Sequence, residues 1–184
     1  MTRLLGLRSV VPTPAGTVVV EPGTVDDAGA LGALQVAVLT EERWFITESD
    51  EFDSAPERLR VLLVQLTTSP NSLFLAARHQ GALVGALLIQ GGALRRVHHV
   101  GRLEVFVRVD LRAMGIGNAL MEAGLRWATR SEILEKISLA VFADNERALN
   151  LYRHHGFTEE GRRLREYLMG DGTYRDDVLM ARRV

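Results

Sequence analysis

Val100 to Val109 reads as a strand that leads directly into Arg112-Ala-Met-Gly-Ile-Gly117, after which Ile116, Leu120, Ala123 and Trp127 recur on one face of a helix. This strand–turn–helix unit constrains the chain more than any other feature. The first backbone N–H groups of such a helix have no partner within it. Together with the helix dipole they favour phosphate oxygens. Gly115 and Gly117 carry no side chain, so a ligand can approach the backbone closely. Arg112 offers a charged donor to the same anion. The competing reading is a tight turn whose glycines serve backbone geometry alone, and the segment taken by itself leaves both open.

The rest of the chain mixes helices with hairpins. Val18 to Glu21 reads as a short strand, and Thr24-Val-Asp-Asp27 as a capping box before a helix through about Leu39. Thr40 to Asp53, acidic and aromatic, reads as a connection. Ser54-Ala-Pro-Glu57 reads as a second capping box, and Leu59, Leu62, Leu63 and Leu66 follow at helical spacing. Leu73 to Arg78 and Leu83 to Ile89 flank Gln80-Gly81, a hairpin signature. Ile137 to Phe142 is the fifth strand in this count. A short helix then runs from about Asn145 to His155 and stops at Gly156, a suitable left-handed cap. Leu164 to Met169 and Tyr174 to Met180 form a last hairpin around Asp171-Gly172. The order β-α-α-β-β-β-α-β-α-β-β predicts an α/β (α+β) fold with a mixed sheet.

The 184 residues fit one domain, with residues 1 to 16 as an N-terminal extension or extra strand. The formal net charge of -1 gives no reason to expect nucleic acid or a membrane surface as partner. There is no cysteine, which excludes disulfides, thiolate nucleophiles and Cys-ligated metals. No stretch has the apolar length to cross a bilayer, and Arg3, Arg8, Pro12 and Pro14 interrupt any signal-peptide core, so a cytoplasmic protein is expected. The pairs His98-His99 and His154-His155 lack a compatible third ligand, and no metal is expected.

Two common phosphate motifs fail against the turn. A dinucleotide fingerprint requires glycine at position 120, where Leu120 stands, and no Gly-Lys-Ser/Thr occurs anywhere. A second segment is more informative. Asn145, Ala148, Tyr152, Gly156 and Phe157 fit Asn-x-x-Ala-x-x-x-Tyr-x-x-x-Gly-Phe, while Arg112, Gly115 and Gly117 fit Gln/Arg-x-x-Gly-x-Gly/Ala. In order, spacing and setting the two resemble the GNAT superfamily of acetyl-CoA-dependent N-acetyltransferases. The resemblance runs from about Val18 to the end. The stretch Asp171 to Asp176 also resembles members that acetylate amino acids or protein amino groups. Ala113 stands where glycine is frequent, and Val109 where proline is frequent; neither removes an amide donor.

The resemblance implies a mostly antiparallel central sheet with helices on both faces, whose fourth and fifth strands run parallel and splay apart. The pantetheine arm of acetyl-CoA would lie in the gap, pairing with backbone near Phe106 and Val107. The diphosphate would rest on the turn Arg112, Ala113, Met114, Gly115, Ile116, Gly117 and Asn118, with Asn145, Ala148 and Tyr152 beside the arm. It implies acetyl transfer to a primary amine of a small molecule (amino acid, polyamine or antibiotic-like) or of a protein N-terminus. A non-catalytic acyl-CoA-binding module on the same fold is the alternative. Tyr152 is the expected general acid, since a phenol's ordinary pKa of ~10 is not far from that of a thiol. Glu104 is either a general base or an outward-facing strand glutamate. Glu48 and Glu51 either border the acceptor site or belong to a solvated loop. The apolar C-terminal hairpin offers a surface that could support a homodimer, though the sequence leaves the oligomeric state open.

Overall fold

The computed structural model describes residues 6–41, 44, 46–48 and 50–184. Its strands are β1 (Ser9–Thr13), β2 (Gly16–Pro22), β3 (Leu73–His79), β4 (Ala82–Gly91), β5 (Val100–Val107), β6 (Lys136–Phe142), β7 (Thr158–Leu168) and β8 (Tyr174–Arg183). Its helices are α1 (Ala28–Leu39), α2 (Pro56–Thr68), α3 (Ile116–Thr129) and α4 (Glu146–His154). All eight strands form one sheet in the order β1-β2-β3-β4-β5-β6-β8-β7. Residues Ser9–Thr13 supply an edge strand, so the fourth and fifth strands of the sequence count are β5 and β6. Every neighbouring pair is antiparallel except β5–β6.

That parallel pair is brief. Val100, Gly101 and Arg102 meet Lys136, Ile137 and Ser138, and the pairing stops there. Farther along, β5 stays with β4 as far as Val107, opposite Gly85, while β6 stays with β8 as far as Phe142, opposite Asp177. Each strand follows its outer neighbour, and the sheet opens into a V. The apex needs glycine: a Cβ on Gly101 would lie 2.7 Å from Ile89 Cγ2 and 3.0 Å from Ile137 Cδ1.

Each face of the sheet has its own core. On one, α1 and α2 bury Leu31, Leu34, Leu63 and Leu66 against Phe74, Leu88 and Phe106. On the other, Leu120, Met121, Trp127, Tyr152 and Phe157 pack against Leu87, Ile89, Leu103, Ile137 and Met180. Side chains alternate along a strand. Leu103 belongs to the second core and Phe106 to the first, so Glu104 lies on the α1–α2 face.

Local signals are realised with three differences. The Thr24 N–H donates to Asp27 Oδ2 at 2.8 Å, as a capping box requires, but the first turn is a 3-10 turn ahead of α1. No box forms at α2. Ala55 is its N-cap without a side-chain bond, Pro56 opens the helix, and Asp53 Oδ1 accepts the Ala55 N–H at 3.0 Å. Proline has no N–H to be capped, so the acid one residue earlier than Ser54 organises the entry. Strand β7 begins at Thr158, well before Leu164. In the last hairpin, Val178 and Met180 enter the core while Leu164 and Leu168 stay exposed. The Gln80-Gly81 turn has φ of 50° and 83°, the two left-handed residues of a type I′ hairpin. Among the described residues no helix is long and apolar enough to cross a membrane.

Candidate active site

The V holds a cavity of about 800 Å³, walled by β5, β6, the turn before α3, the start of α4 and the end of α1. Past Arg102, the β5 edge that faces β6 has no strand partner. Its backbone groups are left for something extended.

The turn has the anion-binding form expected of it. Gly115, at φ 83°, is the N-cap of α3, and no side chain caps the helix. Ala119 is the first residue whose N–H reaches back, to Gly115 O at 3.0 Å. The N–H groups of Ile116, Gly117 and Asn118 therefore have no partner within the helix. Ala113 has φ 61°, the left-handed region in which a Cβ is strained. Ala113, Gly115, Gly117 and Asn118 line the cavity. Met114 and Ile116 turn their side chains into the core, leaving only their backbone for a ligand.

Arg112 behaves differently from the expectation of a free phosphate donor. Its Nε donates to Val107 O at 2.9 Å and its Nη1 to Glu41 Oε2 at 2.6 Å, and its Nη2 also binds Glu41. The side chain ties the turn to the end of α1. A carboxylate 71 residues away cannot be read from the spacing of a local motif.

Helix α4 presents Asn145, whose Oδ1 accepts the Ala148 N–H at 3.2 Å. Asn145, Ala148 and Tyr152 line the cavity with Phe106 and Val107. Tyr152 is buried, its ring 5.9 Å from that of Phe157. Burial, with a smaller contribution from the charge of Glu104, pushes its phenol up to about 12. Glu104 opens into the cavity from the opposite face of the sheet. Water reaches it, yet the surrounding protein raises its carboxyl above the usual range, opposed by Arg102. The charge of Glu104 is thus felt at Tyr152 across the gap between β5 and β6.

Glu48 and Glu51 do not line the cavity. Both are exposed, and Glu51 Oε2 accepts the Glu48 N–H at 3.1 Å. Besides Glu104, the far wall consists of residues that no sequence motif marks. Arg102 shares its strand face with Glu104. Phe142 packs edge-on to Tyr167 at 5.2 Å, and Arg175 lies over Phe142 and Trp44. Asp177, 1% exposed, accepts from Arg163 Nε at 3.0 Å. Strand alternation was the only sequence signal for Arg102; Asp177 and Tyr167 join the wall through pairing of β8 with β6 and β7. Among the described residues no three His, Cys, Asp or Glu are grouped to hold a metal. His155 is instead in contact with Asn118, Nε2 to Oδ1 at 2.8 Å.

Comparison with known proteins agrees with this geometry. Residues 36–157 match the model of the acetyltransferase (GNAT) family, and the chain belongs to that family. It is 30% identical to the L-amino acid N-acetyltransferase AaaT of Escherichia coli K12, over 64% of this chain and 72% of that protein. It is 24% identical to the spermidine N(1)-acetyltransferase of Vibrio cholerae, over 72% and 73%. The crystal structure of a GNAT-family acetyltransferase from Streptococcus pneumoniae superposes with a TM-score of 0.87 at 28% identity, covering 91% of this chain and 99% of that one. The protein is thus an acyltransferase that uses acetyl-CoA and an amine acceptor. The residues present fit acetyl-CoA: uncapped amides for a diphosphate, an unpaired strand edge for the pantetheine arm, and a buried phenol beside the gap.

Proposed function

We propose that the whole chain acts as one domain that acetylates the amine of a small acceptor also bearing a carboxylate, of the amino-acid type. The observation that carries this reading is the pair Arg102 and Glu104 on β5. Both line the cavity on the α1–α2 face, two residues apart, and Arg102 has no hydrogen-bond or ion-pair partner among the described residues. A zwitterion matches such a wall, its ammonium toward Glu104 and its carboxylate toward Arg102. A polyamine would bring a second cation against an unpaired guanidinium. The similarity to an amino-acid acetyltransferase points the same way.

Acetyl-CoA, when bound, supplies the acetyl thioester and a thiol leaving group. Glu104 takes the ammonium proton and leaves the acceptor nitrogen neutral, able to attack; its raised pKa brings it nearer to that task. The Tyr152 hydroxyl, on the other side of the gap, donates a hydrogen bond to the departing sulfur. As the C–N bond forms and the C–S bond breaks, the acylated nitrogen sheds its second proton, which passes through solvent to the departing thiolate. A phenol at about 12 lies above an ordinary thiol, ~8.5, so Tyr152 stabilises that thiolate by donation more than by surrendering its own proton.

The test is thiol release with matched acceptors: a free amino acid, its amide, the decarboxylated amine, and spermidine. The free amino acid is expected to have the highest kcat/KM. Arg102→Gln should remove roughly tenfold of that preference while sparing the amide, the loss of one charge-assisted contact. Preference for spermidine or for the amide, unchanged in the variant, would show the acceptor reading to be wrong.

A further inference from the structure

Arg112, the arginine of the turn, is occupied by Val107 O and Glu41, and its side chain is only 16% exposed. A different cation lies near the same arginine. Arg147, in the first turn of α4, lines the cavity and has no hydrogen-bond or ion-pair partner among the described residues. Its neighbour Glu146 faces Arg153 at 3.7 Å.

The position of Arg147 follows from the helix. Arg147, Leu151 and His155 fall at i, i+4 and i+8, one row on α4. Leu151 Cδ2 would lie 3.6 Å from a Cβ on Gly117, and His155 Nε2 meets Asn118 Oδ1 at 2.8 Å. The row therefore runs along the first turn of α3. Arg147 is one turn nearer the start of α4 than Leu151, lines the same cavity as Ala113 and Gly115, and is close enough to Arg112 and Glu41 to feel their charges. Partial burial and the like charge of Arg112 both lower its pKa, while Glu41 opposes them. The local group of Arg112, Arg147 and Glu41 keeps one net positive charge at the mouth of the cavity. An unpaired cation near another cation is stabilised by an anion, and the uncapped amides of α3 point to where one would sit.

We infer that Arg147 is the side-chain cation for the diphosphate of coenzyme A, while Arg112 shapes the turn through Glu41. The inference rests on acetyl-CoA binding at this turn. It divides between two arginines the roles that the motif alone assigns to one. The guanidinium reaches the diphosphate from α4, opposite the amides of α3, and closes the mouth of the V over it.

Titration calorimetry with coenzyme A and with 3′-dephospho-coenzyme A, at two salt concentrations, tests this. Arg147→Gln should weaken both ligands by the same factor, roughly 10- to 100-fold, and flatten the salt dependence of binding. Arg147→Lys, which keeps the charge without the planar fork, should retain much of the affinity. The melting temperature should stay within a degree or so of wild type, because the residue is exposed and has no partner among the described residues. Three results overturn the inference: affinity within twofold of wild type, a loss confined to coenzyme A (which transfers the contact to the 3′-phosphate), or a loss with unchanged salt dependence. Wild-type protein that binds neither ligand overturns the acetyl-CoA reading itself.

Discussion

The two ends of the cavity are built from different materials. At the mouth, beside α3, the ligand-facing groups are backbone amides of consecutive residues, and the glycine at φ 83° that exposes them lies within the same turn. At the far wall the groups are side chains from separate elements: Arg102 and Glu104 on β5, Phe142 on β6, Tyr167 on β7 and Asp177 on β8. A backbone-built end depends on local geometry and recognises what every donor molecule shares. A side-chain-built end depends on how distant strands are brought together, and can vary from one acceptor to another at little cost to the fold.

Substitutions separate the two ends. Tyr152→Phe removes a donor at their junction. It is expected to lower kcat by about 100-fold or more, with the dissociation constant for coenzyme A nearly unchanged, as steady-state kinetics and calorimetry would establish. Equal turnover would leave Tyr152 a packing residue beside Phe157.

The pH profile probes the far wall. A base works deprotonated, so activity should fall as pH drops through the Glu104 pKa, at a point above the ordinary glutamate value of ~4.3 because burial raises it. Glu104→Gln should abolish that limb and reduce kcat/KM by about tenfold or more. Tyr152, at about 12, should add no basic limb in the working range. A limb that survives in Glu104→Gln belongs to another group.

The mouth should respond in stability. Glu41→Gln leaves the Arg112 guanidinium without its carboxylate and should cost about 2 kcal/mol in denaturant unfolding. A double-mutant cycle with Arg112→Gln should show the two losses to be less than additive, since they break one contact. The smallest effect is a gain. Ala113→Gly relieves a left-handed alanine and should stabilise the fold by about 1 kcal/mol, offset in part by the freer unfolded chain.

Legibility in the sequence followed the same division. The strand–turn–helix around Gly115, the Asn145 cap, the Gly156 stop at φ 78° and the Gln80-Gly81 hairpin are local devices, and each appears where its residues predict it. The start of β7 was not legible. Glu159, Glu160, Arg162 and Arg163 show no apolar alternation, because an edge strand outside the helix-covered core can be polar on both faces. Glu48 and Glu51 allow two readings, an acceptor border or a solvated loop, because charge says nothing about which way a loop faces; both are exposed.

The Arg112–Gly117 turn is determined locally. A glycine at the N-cap leaves the first helix amides uncapped by its own side chain, and the family resemblance carried by Asn145 to Phe157 implies coenzyme A as the anion. Tertiary structure alone decided which arginine stays free. Glu41 and Arg112 meet only because α1 ends against the turn, and that contact occupies Arg112 while Arg147 has no ion-pair partner among the described residues. It also decided the face of Glu104: alternation establishes that neighbours point oppositely, but only packing against two different cores says which direction is which.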